Sequence, residues 1–546
     1  MLKKFDFKNT DTRVRRYIVP QRIVLTRGEV ENAECLLTYR DRQIQLQERE
    51  LMTMRKDSAI LLDFGCEFHG GAEISVYRVK GAEAATLRLC FGESAMEALS
   101  HLGEKGACND HIARDFTVDV KSYSTNEYTM TGYRFLLIEL LTDCVVTVKT
   151  VQGVFVYQPY EYDGSFRCSD DRLNEIYDVS AYTCHLCMQN QLWDGIKRDR
   201  LVWIGDMSPE LKTIKYVWGE KPEIYNGLRL AAEDAELPRW ANTMATYSLW
   251  WLINLEEWCF HNNNYTYLEE QKDYTLGLIR QVLENIDNTG RFTAGTFIDW
   301  PTKDKKASAE ATRALVILCM NAAEKMSRYF GEEALAEECV QARARAAAGT
   351  ADCGGFKQLA ALMQLTGIAD ENGVQVLQTG GAKGFSTFMS YYILTAMAQV
   401  CTTEETLTAL RDYYGAMLDL GATTFWEDFD IAWAENACRL DEVCPEGKSD
   451  IHGDNGNYCY VGYRHSLCHG WSSGPVPFLT EHVLGVNITG AGCSKIEITP
   501  HLGNLAWAEG SIATPKGKVT IAHKKLADGT VETKVDAPAG VEIVLA

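Results

Sequence analysis

"SDDRLNEIYDVSAYTCHLCMQNQLWDGIKRDRLVWIGD", residues 169–206, is where the chain changes character. Its first half places apolar or small residues at helical spacing: Leu173, Ile176, Tyr177, Ser180, Cys184 and Cys187. Ser169 or Asp170 stands ready to cap the first turn. The second half sets Asp194, Lys197, Arg198, Asp199, Arg200 and Asp206 among Trp193, Trp203 and several aliphatics. A surface loop has no need of the tryptophans, and a core segment does not tolerate so many charges unless they are paired. These charges therefore face a partner.

Before this stretch, residues 1–160 read as β structure. Short runs such as AILLDFG (59–65), AEISVYRV (72–79), ATLRLCFG (85–92), RFLLIELL (134–141) and VVTVKTVQGVFVY (145–157) are separated by Gly, Asp and Asn clusters. A β-sandwich is the simplest architecture for them. After it, helical periodicity recurs at 243–260, 265–286, 307–330, 332–348, 354–366, 386–401, 403–419 and 475–484, with almost no strand signal between. An all-α domain of stacked hairpins over 161–486 fits. From 487 the β pattern returns, with hairpin corners expected at Pro515-Lys516-Gly517 and Asp528-Gly529. The fold class is mainly α, flanked by β domains over 1–160 and 487–546.

A length of 546 residues exceeds what one core serves, so several domains are expected. The charge of −21, from 54 basic and 75 acidic residues, argues against nucleic acid, because no basic excess exists to displace phosphate counterions. The first twenty residues hold no apolar run of about 7–15 residues of the kind a secretory leader needs. Nor does any apolar stretch reach the ~18 residues that would suggest a membrane span. The 18 scattered cysteines then read as reduced core thiols in a cytoplasmic protein, Cys184 and Cys187 included. No cluster has metal-ligand spacing, so neither metal nor cofactor is expected.

Acids, cations and tryptophan together are how sugars are held: charges on the hydroxyls, aromatic faces on the C–H surfaces. Four more constellations share that composition. GATTFWEDFDIAW (421–433) carries Trp426, Glu427 and Asp428; SLCHGWSSGP (466–475) carries His469; FIDWP (297–301) carries Asp299 and Trp300; YSLWWLINLEEW (247–258) carries Trp250 and Trp251. Trp251 shares helical spacing with Leu255, which also suits plain core packing. Two carboxylates from distant segments meeting in one pocket suffice for glycoside hydrolysis: one donates a proton to the leaving oxygen, the other attacks or activates water.

In these motifs the sequence resembles the bacterial α-L-rhamnosidases of glycoside hydrolase family seventy-eight. The resemblance implies a six-hairpin (α/α)6 barrel and an inverting enzyme. Arg198-Asp199-Arg200-Leu201-Val202-Trp203-Ile204-Gly205-Asp206 is similar to the family's acidic motif, which implies Asp199 as general acid, Trp203 as a wall of the sugar site and Asp206 as a hydroxyl ligand. Asp194 matches an earlier Asp of that motif, and ATTFWEDF implies Glu427 as general base. His469, Asp299 and Trp300 sit in segments similar to its pocket walls, and Arg198, Trp251 and Trp426 are further expected sugar contacts. The residues alone leave Asp194 or Asp206 open as the acid, Asp428 as the base, and His469 as a core histidine.

Two departures stand out. The acid is Asp rather than Glu, and Gly195-Ile196 replaces the family's Cys-Pro. The expected partner is a small-molecule rhamnoside or oligosaccharide end, with a homodimer compatible with the sequence. A glycosidase for another terminal sugar and a silent sugar-binding protein are the alternatives. Lys197, Arg198 and Arg200 crowd Asp199, and nearby cations hold a carboxyl ionised, the opposite of what a general acid needs. The structure has to show where those cations point.

Overall fold

A computed structural model describes residues 10–458 and 460–545. The leader reading of the N-terminus falls partly on residues 1–9, outside the described residues, as does the last residue of the C-terminal strand run.

The N-terminal part forms, among the described residues, one hydrogen-bonded nine-stranded sheet. Its organiser is Ala59–Lys80, a 22-residue strand that joins two expected runs, AILLDFG and AEISVYRV, into one element. Register shifts between Asp63 and Phe68 and between Gly70 and Ala72 bend it, so its first half pairs with Arg22–Arg27 and its second with Val145–Tyr157. Ser124–Leu140 runs along its other edge. Ile60 and Leu62 from the start, and Ile74 and Val76 from the end, bury into one core with Leu87, Leu89, Leu136 and Ile138. Asp115–Val120 is a strand that the sequence reading omits. Its pattern is half-exposed at the sheet edge, so it lacks an apolar run to announce it.

The helical part begins at Asp171–Cys187. Asp170 caps it, its carboxylate accepting from the backbone N–H of Arg172 and Leu173. Helices follow at Ala245–Asn262, Lys272–Glu284, Lys306–Tyr329, Glu333–Ala346, Lys357–Leu365, Ser390–Val400 and Thr403–Asp419. Thr402 and Glu405 form a reciprocal capping box at the last of these, which packs back against Asp171–Cys187.

Among the described residues four α-helices fall outside the expected set: the short Ala95–Leu99 in the N-terminal part, and Met207–Val217, Pro222–Asp234 and Glu371–Gln378 in the helical part. Met207–Val217 is charged yet buried along its whole length. It can be so because Lys215 lies 2.9 Å from Glu257, which also pairs with Lys212. Pro209 sits in its first turn, where no intrahelical N–H is lost.

The C-terminal part holds a three-stranded and a four-stranded sheet. Thr514–Gly517 and Leu526–Thr530 make the hairpin corners at the expected glycines, with φ of 122° at Gly517 and 86° at Gly529. Ser165–Cys168 pairs antiparallel with Trp507–Ile512, so the strand leading into the helices belongs to the C-terminal sheet. No helix among the described residues is long and apolar enough to cross a membrane.

Candidate active site

The loop 193–206 is shaped by its own acids. The Asp194 carboxylate accepts from the Leu201 N–H at 3.0 Å while the Asp194 N–H donates to the Leu201 carbonyl, closing the turn between them. The Asp194 carbonyl accepts from Gly470 N–H at 2.7 Å and from Cys187 Sγ at 3.7 Å, which ties the loop to the 466–475 segment and to the first helix. Cys187 is thus a buried thiol with a packing task. From the other side, Gly132 of the N-terminal sheet donates its N–H to Ile196 at 2.9 Å. A Cβ on Gly132 would lie 2.8 Å from Lys197 N, so glycine is what lets the sheet approach.

The cations around Asp199 are sorted by this packing. Lys197 is buried and turned away, its Nζ 2.8 Å from Glu93 and 3.2 Å from Glu97 of the N-terminal domain. It also donates to the carbonyls of Tyr463 and His465. Arg200 donates to the carbonyls of Met130 and His111. Arg198 stays: Nη1 donates to Asp199 Oδ1 at 2.8 Å and Nη2 to Glu427 Oε1. Asp199 and Arg200 occupy the left-handed region, with φ of 54° and 55°. That conformation costs a non-glycine residue on the order of 1–3 kcal/mol and persists where surroundings over-determine it.

These groups open onto a small cavity lined by Asp194, Arg198, Asp199, Asp206, Glu427 and His469. Its walls are Trp203, Met244, Tyr247, Phe297, Trp300, Tyr460 and Trp471. His469 Nε2 stands between three carboxylates, 3.6 Å from Asp194, 3.8 Å from Asp206 and 3.5 Å from Glu427. Burial alone would lower its pKa; the three acids outweigh burial and raise it to about 9, so His469 is cationic. Burial would raise the Glu427 carboxyl, but Arg198 and His469 hold it below the usual range, so Glu427 is ionised. Asp206 goes the other way. Burial, with Asp194 adding to it, pushes its pKa up to about 8, and Tyr247 Oη donates to it at 3.1 Å. Gly205 makes that contact, since a Cβ there would sit 2.4 Å from the Tyr247 ring.

Not every expected contact reaches the cavity. Trp251 is fully buried, its Nε1 donating to the Leu228 carbonyl at 2.9 Å and its ring against Tyr274; its helical spacing marked a core residue. Trp426 is buried edge-on against Phe429 and His465 and does not line the cavity. Asp299 lies behind the wall, capping Trp300 N–H at 2.7 Å and bonded to Ser386; burial raises its pKa to about 6. Asp428 is half-buried beside Asp299 and Glu427, and burial with their charges raises it to about 8. Tyr247 and Phe297 open two of the stretches singled out above, yet aromatic residues beside Trp250 and Trp300 carried no separate signal. Met244 and Tyr460 had none.

Residues 161–349 match the family model described as the bacterial alpha-L-rhamnosidase 6 hairpin glycosidase domain, and residues 485–546 that of the bacterial alpha-L-rhamnosidase C-terminal domain. Comparison of the sequence with curated proteins gives no match. The fold is similar to that of a solved GH78 family rhamnosidase of Bacillus sp. GL1, with TM-score 0.72 and 20% identity, over 94% of this chain and 55% of that one. The α-L-rhamnosidase from Dictyoglumus thermophilum gives 0.70 and 17%, over 89% and 56%. A rhamnosidase from Klebsiella oxytoca, solved with rhamnose bound, gives 0.66 and 19%, over 86% and 96%. The chain therefore spans little more than half the length of the first two. Its helical and C-terminal segments are thus similar to those of bacterial α-L-rhamnosidases, and its fold is similar to that of solved rhamnosidases.

Proposed function

We propose that the chain is an inverting α-L-rhamnosidase that releases a terminal α-L-rhamnose from small glycosides or oligosaccharide ends, using the helical hairpins of 161–486 as an (α/α)6 barrel. The domains flanking that barrel are 1–160 and 487–546, and the buried thiols suit a cytoplasmic setting. One observation carries the reading: two carboxyl groups from distant segments, Asp199 and Glu427, meet in one aromatic-walled cavity across the Arg198 guanidinium. The Klebsiella relative with rhamnose bound supports the choice of sugar.

In this mechanism Asp199 gives its proton to the glycosidic oxygen. The bond from C1 to that oxygen breaks and its electron pair leaves with the departing alcohol. On the opposite face Glu427 takes a proton from a water molecule as the water oxygen bonds to C1. Glu427 is fit for this because Arg198 and His469 keep it ionised. Arg198 occupies Asp199 Oδ1, which leaves Oδ2 as the donating oxygen. Asp194, Asp206 and the cationic His469 bind hydroxyls, while Trp203 and Trp300 cover the C–H faces and the methyl group of the deoxysugar. Asp206 also keeps its proton up to about pH 8, which favours it as a second candidate for the acid.

The test is turnover of an aryl α-L-rhamnoside by wild type, Asp199→Asn, Asp206→Asn and Glu427→Gln, with the first-formed sugar followed by proton NMR. The expected result is β-rhamnose from wild type and loss of about 10²-fold or more in Asp199→Asn and Glu427→Gln. Full activity in Asp199→Asn with loss in Asp206→Asn moves the acid to Asp206. An α-anomer first product overturns inversion, and binding without turnover overturns the enzyme.

A further inference from the structure

We propose that His111, carried in by the N-terminal sheet domain, is a positioning residue for the general acid, pinning the Asp199 backbone through its N–H. The inference rests on Asp199 being the acid.

The Asp199 N–H donates to His111 Nδ1 at 3.0 Å. That nitrogen must therefore present a lone pair, which places the ring proton on Nε2, where Asp110 Oδ1 lies 3.2 Å away. Asp110 is held in turn by Arg464, whose Nε is 2.5 Å from its other oxygen. The same Nδ1 stands 3.1 Å from Asp199 Oδ1. His111 thus holds the Asp199 backbone while Arg198 holds its Oδ1, which leaves Oδ2 facing the cavity as the donating oxygen.

The charged groups around this pair include Asp110 with Arg464, Arg198, Asp194, and Arg200 through its bond to the His111 carbonyl. Backbone strain marks the same contact. His111 has φ of 64°, opposite the left-handed Asp199 and Arg200, so two strained turns from different domains hold one another. With Lys197 drawn off to Glu93 and Glu97, the sheet domain sets the environment of the acid from both sides of its loop.

The experiment compares wild type, His111→Ala and His111→Asn on two substrates, phenyl and 2,4-dinitrophenyl α-L-rhamnoside. The phenolate of the first needs a proton to leave; that of the second does not. His111→Ala is expected to lower kcat on the phenyl glycoside by about tenfold or more, out of the 10²–10⁴ a general acid supplies. On the dinitrophenyl glycoside it should stay within about threefold of wild type. Asn offers an oxygen near the Nδ1 position and should restore most of the loss. Equal losses on both substrates would overturn the proposal, as would no loss at all.

A second readout does not depend on turnover. In protein labelled with 15N-histidine, the resonance that disappears in His111→Ala should report the neutral Nε2–H tautomer at pH 7. An imidazolium or Nδ1–H form overturns the proposal. If wild type turns over no rhamnoside, the functional reading fails while this measurement still decides the His111 arrangement.

Discussion

Arg198 and Glu427 form a buried ion pair, and the same guanidinium bonds Asp199 with its other nitrogen at 2.8 Å. One rigid fork therefore spans both carboxyl groups that the proposed reaction uses. Its planar geometry is something a lysine cannot reproduce.

Replacing Arg198 with Met removes the fork and leaves Glu427 buried. Breaking a buried pair by removing one partner costs about 3–5 kcal/mol, and urea unfolding at pH 7 should show a loss of that order. The pH dependence should change too. Glu427 is held below its ordinary value, so its contribution to stability is present above the unfolded value and is lost as pH falls through the folded one. In Arg198→Met that loss should begin at higher pH. Arg198→Lys, which keeps a charge without the fork, should fall between the two in stability and lower kcat/KM by about tenfold or more.

His469 gives a signature at the opposite end. Its pKa is raised to about 9, so its stabilisation is full below the unfolded value near 6.5 and is lost as pH rises through about 9. Wild type should become less stable from neutral pH to pH 9 in urea titrations. His469→Asn should be less stable than wild type at pH 6 and should lose less of its stability over that interval. Parallel curves for the two proteins would mean that His469 is not charged in the folded state.

For Asp206 the sign follows from a raised carboxyl. Between the unfolded value near 4 and the folded value of about 8, the folded chain holds a proton that the unfolded chain releases, so stability falls as pH rises. Asn cannot ionise and removes that slope. Asp206→Asn should therefore be more stable than wild type at pH 8, by at least about 1 kcal/mol, while binding sugar less well.

What the sequence reveals of this site follows from how the chain builds it. Asp194, Arg198, Asp199, Trp203 and Asp206 lie within one loop, and motif spacing alone brings them together. Glu427 and His469 come from two other loops that carry their own acidic and aromatic marks. The alternation β, α, β was likewise written in periodicity. The direction of Lys197 was not, because its partners Glu93 and Glu97 lie in a different domain about a hundred residues earlier. Trp251 and Trp426 show the limit from the other side, since composition cannot tell which face of a segment meets the cavity. His111 approaches from a loop with no apolar rhythm, and only the packing of the sheet on Ile196 and Arg200 brings it near Asp199.

Gly470 tests how tightly the floor of the site is packed. A Cβ at this position would lie 1.6 Å from Glu210 Oε1 and 2.6 Å from its carboxyl carbon, while Gly470 N–H holds the Asp194 carbonyl at 2.7 Å. Glu210 is fully buried, and burial drives its carboxyl well above the ordinary range, so it sits as a neutral acid behind Asp194 and Asp206. It cannot swing to solvent to make room. Gly470→Ala should therefore destabilise the protein by about 2–3 kcal/mol and lower kcat/KM, because relief must come from the Asp194 loop. Glu210→Ala opens the space that the methyl group needs. The double variant should then be more stable than the sum of the two single losses implies, by about 1–3 kcal/mol in a double-mutant cycle read by urea unfolding. Strict additivity would show that the alanine methyl is accommodated elsewhere and that Glu210 does not set the need for glycine.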